Sequence, residues 1–397
     1  MPHTTPYEAP RTAGDQSGRR ARALTGALAI AALVAALVAL WQTQSTPLGG
    51  HAYCWGAWPE GEAPFRRGDH DRTADERVPS PGRPTGHCSL RWRGGQGPGA
   101  YEQRVDLRLG TGPREAGERR SWLGELFGGG DVPLPDGLPG FTAAASGTGA
   151  LVLPESCDVD GRPSVVTLKS FFSDTATSAT HPGFSTGLTP ATAGELLVRA
   201  ANKATRATSC TTLPPLRLRR EPSAPTTPVR ASPGPDEHHC GIAGLGKRTA
   251  PGADAGTGYP TGNPDSTSST GSGSSPDSTD FHSCAIAGAQ EHGASSGPGP
   301  GPTSWAARFI TTGRPRLVAL FDGLTGDRPP APGWRAHGTI DASGALVRAD
   351  CGGRPTVFTM RSGPGRTHTR LDDPRQVFPL YVDAVTGHMG CAPLRAG

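Results

Sequence analysis

Apolar side chains gather in one unbroken run near the N-terminus and afterwards come in short stretches separated by polar residues. Ala23 to Trp41 holds no charged residue, and only Thr25 and Gly26 interrupt its Ala, Leu, Val and Ile. At ~1.5 Å per helical residue the run approaches the ~30 Å hydrocarbon core of a bilayer, so it reads as a transmembrane helix. Further on, Tyr101 to Thr111 alternates, with Val105, Leu107 and Leu109 on one face, the pattern of a half-buried strand. Trp305 to Phe321 offers two apolar runs split by the turn Gly313-Arg-Pro. A short apolar piece, Leu123 to Phe127 or Ala319 to Phe321, comes next in each region. Two short strands then lead to Cys157 or Cys351, and after a tight turn another strand covers Pro163 to Phe172 or Pro355 to Arg361.

Each series closes on a helix that runs into a cysteine. Thr189-Pro190 supplies a cap residue and a proline at the first helical position, and Leu196, Leu197, Ala200, Ala201 and Ala204 form an apolar stripe. Asp373-Pro374 opens the other helix, with Val377, Phe378, Tyr381, Val382 and Val385 at equivalent places and Pro379 and Gly387 weakening it. The implied fold class is α+β: a mainly antiparallel sheet with a helix packed on one face.

The sequence repeats. Ala150-Leu-Val-Leu-Pro-Glu-Ser-Cys157 followed by Gly161-Arg-Pro-Ser-Val-Val-Thr-Leu-Lys-Ser170 reappears as Ala345-Leu-Val-Arg-Ala-Asp-Cys351 followed by Gly353-Arg-Pro-Thr-Val-Phe-Thr-Met-Arg-Ser362. The 8 cysteines all lie beyond the apolar run, in two quartets: Cys54, Cys88, Cys157, Cys210 and Cys240, Cys284, Cys351, Cys391. An even number of cysteines on an oxidising side reads as disulfides. Three pairings are open within each quartet. We prefer the sequential one, Cys54–Cys88, Cys157–Cys210, Cys240–Cys284 and Cys351–Cys391, because it clamps the ends of the long polar loop between the first two cysteines of each quartet. Zinc is the competing reading, since His51, His87, His239, His282 and His388 lie near cysteines. Yet no Cys-x-x-Cys or His-x-x-x-His spacing occurs, and no metal is expected.

The expected organisation is therefore two tandem, disulfide-braced copies after one membrane span. Residues 1–22 form a short cytoplasmic tail, 23–41 the signal anchor and 42–51 a linker. Copy one covers 52–216, a Pro- and Ser-rich linker 217–238 and copy two 239–397, with a loop at 249–280 expected to be disordered. That loop contains no Leu, Ile, Val, Phe, Met, Trp, Lys or Arg with which to build a core.

Charge sets the orientation of the anchor. Arg19, Arg20 and Arg22 precede it, whereas Gln42 to Phe65 carries no Lys or Arg, which keeps the N-terminus in the cytoplasm and exports the rest. A cleaved signal peptide is the alternative, but the run is long for one and Ala39-Leu-Trp41 is a poor cleavage site. Twenty-two residues rich in Pro, Gly, Thr and Arg cannot bury a core, which excludes an enzymatic or DNA-binding domain inside the cell. The net charge of +4 has no dense basic run behind it, so nucleic acid is not an expected partner. The basic residues are almost all arginine, with Lys169, Lys203 and Lys247 the lysines. With its single anchor, short tail and Cys54-Trp-Gly start, the chain resembles uncharacterised single-pass cell-envelope proteins of GC-rich actinobacteria. The resemblance is one of organisation; it implies a compartment and no particular activity.

Candidate sites are few. Gly183-Phe-Ser185-Thr-Gly187, with His181 nearby, fits the nucleophile-elbow pattern, but that mechanism needs a strand delivering the serine straight into a helix, and ten mostly polar residues intervene. Asp158-Val-Asp160-Gly161 matches a fragment of a calcium loop and equally a hairpin turn; the turn is preferred. Asp69-His70-Asp71 offers three ligand side chains in what reads as a polar loop, and Arg67-Gly68-Asp69 is an adhesion tripeptide by coincidence. Trp55 and Trp58 either fill the core beside Cys54 or stack on a ligand. No catalytic residue and no cofactor is expected. The chain reads as a non-enzymatic binding or structural module on the outer face of the cytoplasmic membrane, with an envelope protein or ligand as partner. The alternatives are an envelope hydrolase using Ser185 and the extracytoplasmic component of a sensor or secretion assembly.

Overall fold

The computed structural model describes residues 51–128, 131–143, 146–174, 180–184, 189–211, 213–220, 222, 240, 242, 280–287, 305–363 and 373–395. The tail, the anchor at 23–41, most of the 217–238 linker and the 249–280 loop up to its last residue lie outside them. Among the described residues no helix is long and apolar enough to cross a membrane.

The fold is α+β with antiparallel sheets. β1 (Ala52–Tyr53) and β2 (Trp58–Pro59) make a small ribbon. Then come β3 (His70–Arg77), β4 (Gly86–Gly94), β5 (Tyr101–Thr111), α1 (Ala116–Leu126), β6 (Val132–Pro133), β7 (Gly140–Ala143), β8 (Thr148–Val152), β9 (Ser164–Asp174), β10 (Thr180–Pro182) and α2 (Pro190–Thr208). The later elements are β11 (Phe281–Ala287), β12 (Trp305–Thr312), α3 (Pro315–Val318) continuing into a 3-10 turn at Ala319–Phe321, β13 (His337–Ile340), β14 (Gly344–Asp350), β15 (Pro355–Ser362) and α4 (Pro374–Thr386). The first sheet has the order β3-β4-β5-β9-β8-β7-β6, with β10 also on β9; the second has the order β11-β12-β15-β14-β13.

Both long helices follow from their caps and stripes. The Thr189 hydroxyl accepts from the Thr192 N–H at 3.1 Å, Pro190 occupies the first turn, and α2 ends where Ser209 turns left-handed at φ 53°. Asp373 does the same for α4, accepting from the Arg375 N–H at 3.0 Å, and the helix runs through Pro379. The expected stripes are the buried ones, and each packs on one sheet face. Leu196, Leu197 and Ala200 join Leu90, Val105, Leu107 and Leu168, whereas Phe378, Tyr381 and Val382 join Phe309, Val347 and Phe358.

A third core lies between the sheets. Phe141, Ala150, Val152 and Val165 of the first sheet and Leu123 and Phe127 at α1 meet Phe281, Ile310, Leu346 and Val357 of the second sheet and Leu317 and Phe321 at α3. Phe127 stacks on Phe141 at 4.6 Å and on Phe321 at 5.9 Å, and Phe141 stacks on Phe281 at 6.2 Å. The layers thus run helix, sheet, sheet, helix, with one apolar seam shared by both halves.

The four disulfides join sequential cysteines: Cys54–Cys88, Cys157–Cys210, Cys240–Cys284 and Cys351–Cys391. Cys157–Cys210 ties the chain after β8 to the end of α2, and Cys351–Cys391 ties the end of β14 to the end of α4.

Two readings need correction. Residues 70–77 are no polar loop; they form edge strand β3, paired on one side only, so both faces stay wet and no alternation was there to read. The apolar run after Gly313 is helical, with Pro315 at the first turn. At the start of the expected 217–238 linker, Leu218 packs with Leu216 on the first core, the Asn202 side chain bonds both the N–H (2.8 Å) and C=O (2.9 Å) of Leu216, and the Arg219 N–H reaches Asp136 at 2.8 Å.

Candidate functional site

The residues singled out by sequence are mostly structural. Trp58 is fully buried and donates to the Leu196 carbonyl at 3.3 Å, and Trp55 donates to the Arg77 carbonyl at 3.1 Å. Both indoles belong to the first core. Cys54, Trp55 and Gly56 have φ of 53°, 65° and 73°, a left-handed turn whose N–H groups converge. Glu76 fills that nest, accepting from Cys54 N at 2.7 Å and Trp55 N at 2.8 Å. Glu76 with Cys54 and Cys88 is also a group close enough to hold a metal. Here both sulfurs are spent on the disulfide and both carboxylate oxygens on the nest.

Asp69 accepts from Tyr101 Oη at 2.7 Å and from Arg66 N at 2.8 Å, so the Arg67-Gly68-Asp69 sequence is tied into the fold. Asp71 faces Arg93 at 3.8 Å and His70 at 3.9 Å, both exposed. Val159 and Arg162 bridge a two-residue turn in which Asp160 and Gly161 have φ of 51° and 70°. The second half makes the same turn with Gly352 (63°) and Gly353 (83°), positions where only a glycine or a short polar residue is at ease. Asp158 pairs with Arg316. Gly183, at the head of the serine motif, is fixed by its carbonyl, which accepts from Gln103 and Ser170 at 2.9 Å each; Ser185 lies outside the described residues.

What the fold assembles is a cleft of about 490 Å³ where the two sheets meet. Gly124 and Glu125 of α1, Ser146, Thr148 of β8 and Lys169 and Phe171 of β9 line one side; Arg308 of β12 and Arg361, Ser362 and Gly363 at the end of β15 line the other. Its size suits a small-molecule site. Lys169 Nζ lies 3.6 Å from Glu125, and the Ser146 hydroxyl, which donates to the Ala143 carbonyl, is 2.7 Å from that of Thr148. Phe171 carries the Arg104 guanidinium 4.9 Å above its ring. Burial, partly countered by buried Asp131 and reinforced by Arg361, pulls Arg308 down to about 10. The Arg361 guanidinium lies across Gly124, so a Cβ there would displace it.

None of these lining residues was a sequence candidate. The trace available was that Lys169 and Arg361 occupy corresponding positions in the repeated stretch. No protein-family model, curated protein or solved structure matches this chain.

Proposed function

We propose that the chain is a membrane-anchored, extracytoplasmic, non-enzymatic binding module in which two copies of one disulfide-braced unit build a single site. The observation that carries this reading is the cleft, because each half supplies one wall and neither half alone encloses it. Duplication is supported by topology as well as by the repeated sequence. The order β4-β5-β9-β8-β7 corresponds strand for strand to β11-β12-β15-β14-β13. Cys88 and Cys284 fall on the matching first strands, and Cys157–Cys210 and Cys351–Cys391 join matching places. The arginine asymmetry around 23–41 supports the outward placement.

Two measurements test the proposal. Protease added to intact protoplasts should digest nearly everything after Trp41; protection until lysis would reverse the orientation. A small-molecule fraction of the cell envelope should raise the Tm of the solubilised full chain, and that shift should vanish when Phe171 and Arg361 are replaced together. If no fraction raises the Tm, the binding-module reading is wrong.

A further inference from the structure

The repeated peptide puts Lys169 and Arg361 at corresponding positions, and both line the cleft, yet their surroundings differ. Lys169 Nζ has the Glu125 carboxylate 3.6 Å away. Arg308, opposite Arg361 across β12 and β15, feels the opposite charge of buried Asp131. Arg361 forms no hydrogen bond or ion pair with any other described residue. Its side chain instead runs along the backbone of α1: a Cβ on Gly124 would stand 2.9 Å from Cζ and 3.0 Å from Cδ. The helix backs the guanidinium, and its N–H donors remain for what enters the cleft.

One unpartnered guanidinium matches one carboxylate. The two form parallel N–H···O bonds in a planar fork, and their charges cancel. A phosphate monoester carries about 1.5 to 2 negative charges and would keep part of that charge uncompensated, because Lys169 is already engaged with Glu125.

The hydroxyls of the cleft specify the rest of the ligand by what they lack. Ser146 Oγ gives its proton to the Ala143 carbonyl at 3.1 Å. In the 2.7 Å contact between Ser146 and Thr148 the proton must therefore come from Thr148. Both protons are used, and lone pairs are what Thr148 has left to offer. The Glu125 carboxylate likewise only accepts. A ligand that meets these groups must bring donors of its own, as a hydroxylated skeleton does. The Phe171 ring, with the Arg104 guanidinium 4.9 Å from its centroid, adds an apolar surface suited to the C–H face of a sugar ring. A cleft of about 490 Å³ has room for such a ring, whereas an ion the size of acetate would leave most of it empty.

We propose that the inter-sheet cleft binds a sugar acid, a monocarboxylate on a hydroxylated ring, with Arg361 forked on the carboxylate and Thr148 and Glu125 accepting from the ring hydroxyls. This rests on the binding-module reading and adds the ligand class to it.

Calorimetry on the detergent-solubilised full chain tests it with glucuronate, glucose, cyclohexanecarboxylate and glucose 6-phosphate. Glucose lacks the carboxylate, cyclohexanecarboxylate lacks the hydroxyls, and the phosphate replaces one anion by another. The expected result is saturable binding of glucuronate, weaker binding of cyclohexanecarboxylate and of glucose 6-phosphate, and none of glucose. Arg361→Gln should weaken glucuronate roughly tenfold or more, and Gly124→Ala, which displaces the guanidinium, should act in the same direction. Thr148→Val should cost affinity for glucuronate and leave that for cyclohexanecarboxylate unchanged. With no ion pair or hydrogen bond to lose among the described residues, Arg361→Gln should keep its ligand-free Tm within about 2 °C of the parent, which separates loss of binding from loss of fold. A larger fall would make Arg361 a structural part of the α1 packing and would overturn its assignment to a ligand. Equal binding of glucuronate and glucose, equal binding of glucuronate and cyclohexanecarboxylate, tighter binding of glucose 6-phosphate, or unchanged affinity in Arg361→Gln would overturn the proposal as well. If envelope fractions stabilise the protein and glucuronate does not bind, the ligand class fails and the binding module stands.

Discussion

Arg316 and Asp158 form a two-armed ion pair across 158 residues of chain, with one arm at 3.0 Å. Both side chains are largely shielded, and Arg316 Nε also donates to the Leu153 carbonyl at 3.0 Å, so the turn beside Cys157 is fastened to α3 of the other half. Its neighbour Arg314 adds a second fastening. Its Nη1 donates to the Leu134 carbonyl at 2.7 Å and its Nε faces Asp280 at 3.2 Å.

Removing one partner of a shielded pair strands the other. Arg316→Met should therefore destabilise the protein by about 2 kcal/mol, and a double-mutant cycle with Asp158→Asn should return a coupling of about 1–2 kcal/mol. Urea unfolding read by near-UV circular dichroism measures both; additive single effects would mean that the pair is ornamental.

The Glu76 nest makes a sharper claim. Glu76→Ala leaves the Cys54 and Trp55 N–H groups without their acceptor in a partly buried left-handed turn, and should cost about 1.5–3 kcal/mol. Glu76→Gln should recover part of this, because an amide oxygen still accepts. Equal losses in the two variants would show that geometry is unimportant there.

His282 gives a pH signature. Burial, and then the charge of His388, lowers its imidazole to about 4, while its Nδ1 sits 3.1 Å from the Tyr381 hydroxyl. Tyr381 also contacts Thr311 at 2.8 Å, and burial raises its phenol well above the usual range. In the unfolded chain a histidine titrates near ~6.5. The folded state therefore resists a proton that the unfolded state accepts. This group's share of stability is intact above about pH 6.5, falls as pH drops towards 4 and is flat below, with a total of up to about 3 kcal/mol. His282→Asn should remove that portion of the slope between pH 6.5 and 4, as seen in urea midpoints for the two proteins. An unchanged difference between them across this range would refute the assignment.

Cys351→Ser opens a crosslink spanning 40 residues that binds the end of β14 to the end of α4, and should cost about 2–5 kcal/mol. Differential scanning calorimetry under non-reducing conditions should show the loss in Cys351→Ser. A Tm unchanged from the parent would mean that the helix is held by its apolar stripe alone.

How much of this could be read from the chain depended on how local the signal was. α2 and α4 announce themselves through a cap residue, a proline and a 3.6-residue stripe, and the strands around Leu107 and Val357 through alternation. β3 carried no such signal, because an edge strand with water on both faces, His-Asp-Arg-Thr-Ala-Asp-Glu-Arg, has no side to bury. α1 was hidden by its Glu-Arg-Arg turn, whose arginines reach across to the carbonyls of Asp322 and Leu324. The cleft was the least legible feature, since Glu125, Lys169, Arg308 and Arg361 are distant in sequence and become neighbours only when the two sheets stack. The repeated peptide did mark Lys169 and Arg361 as counterparts, but nothing in it said that they would face one cavity.

The aromatic seam of Phe127, Phe141, Phe281 and Phe321 has a consequence for anyone who cuts the chain in two. Either half, expressed by itself, would carry a greasy sheet face into water and would be driven to cover it with another copy of itself.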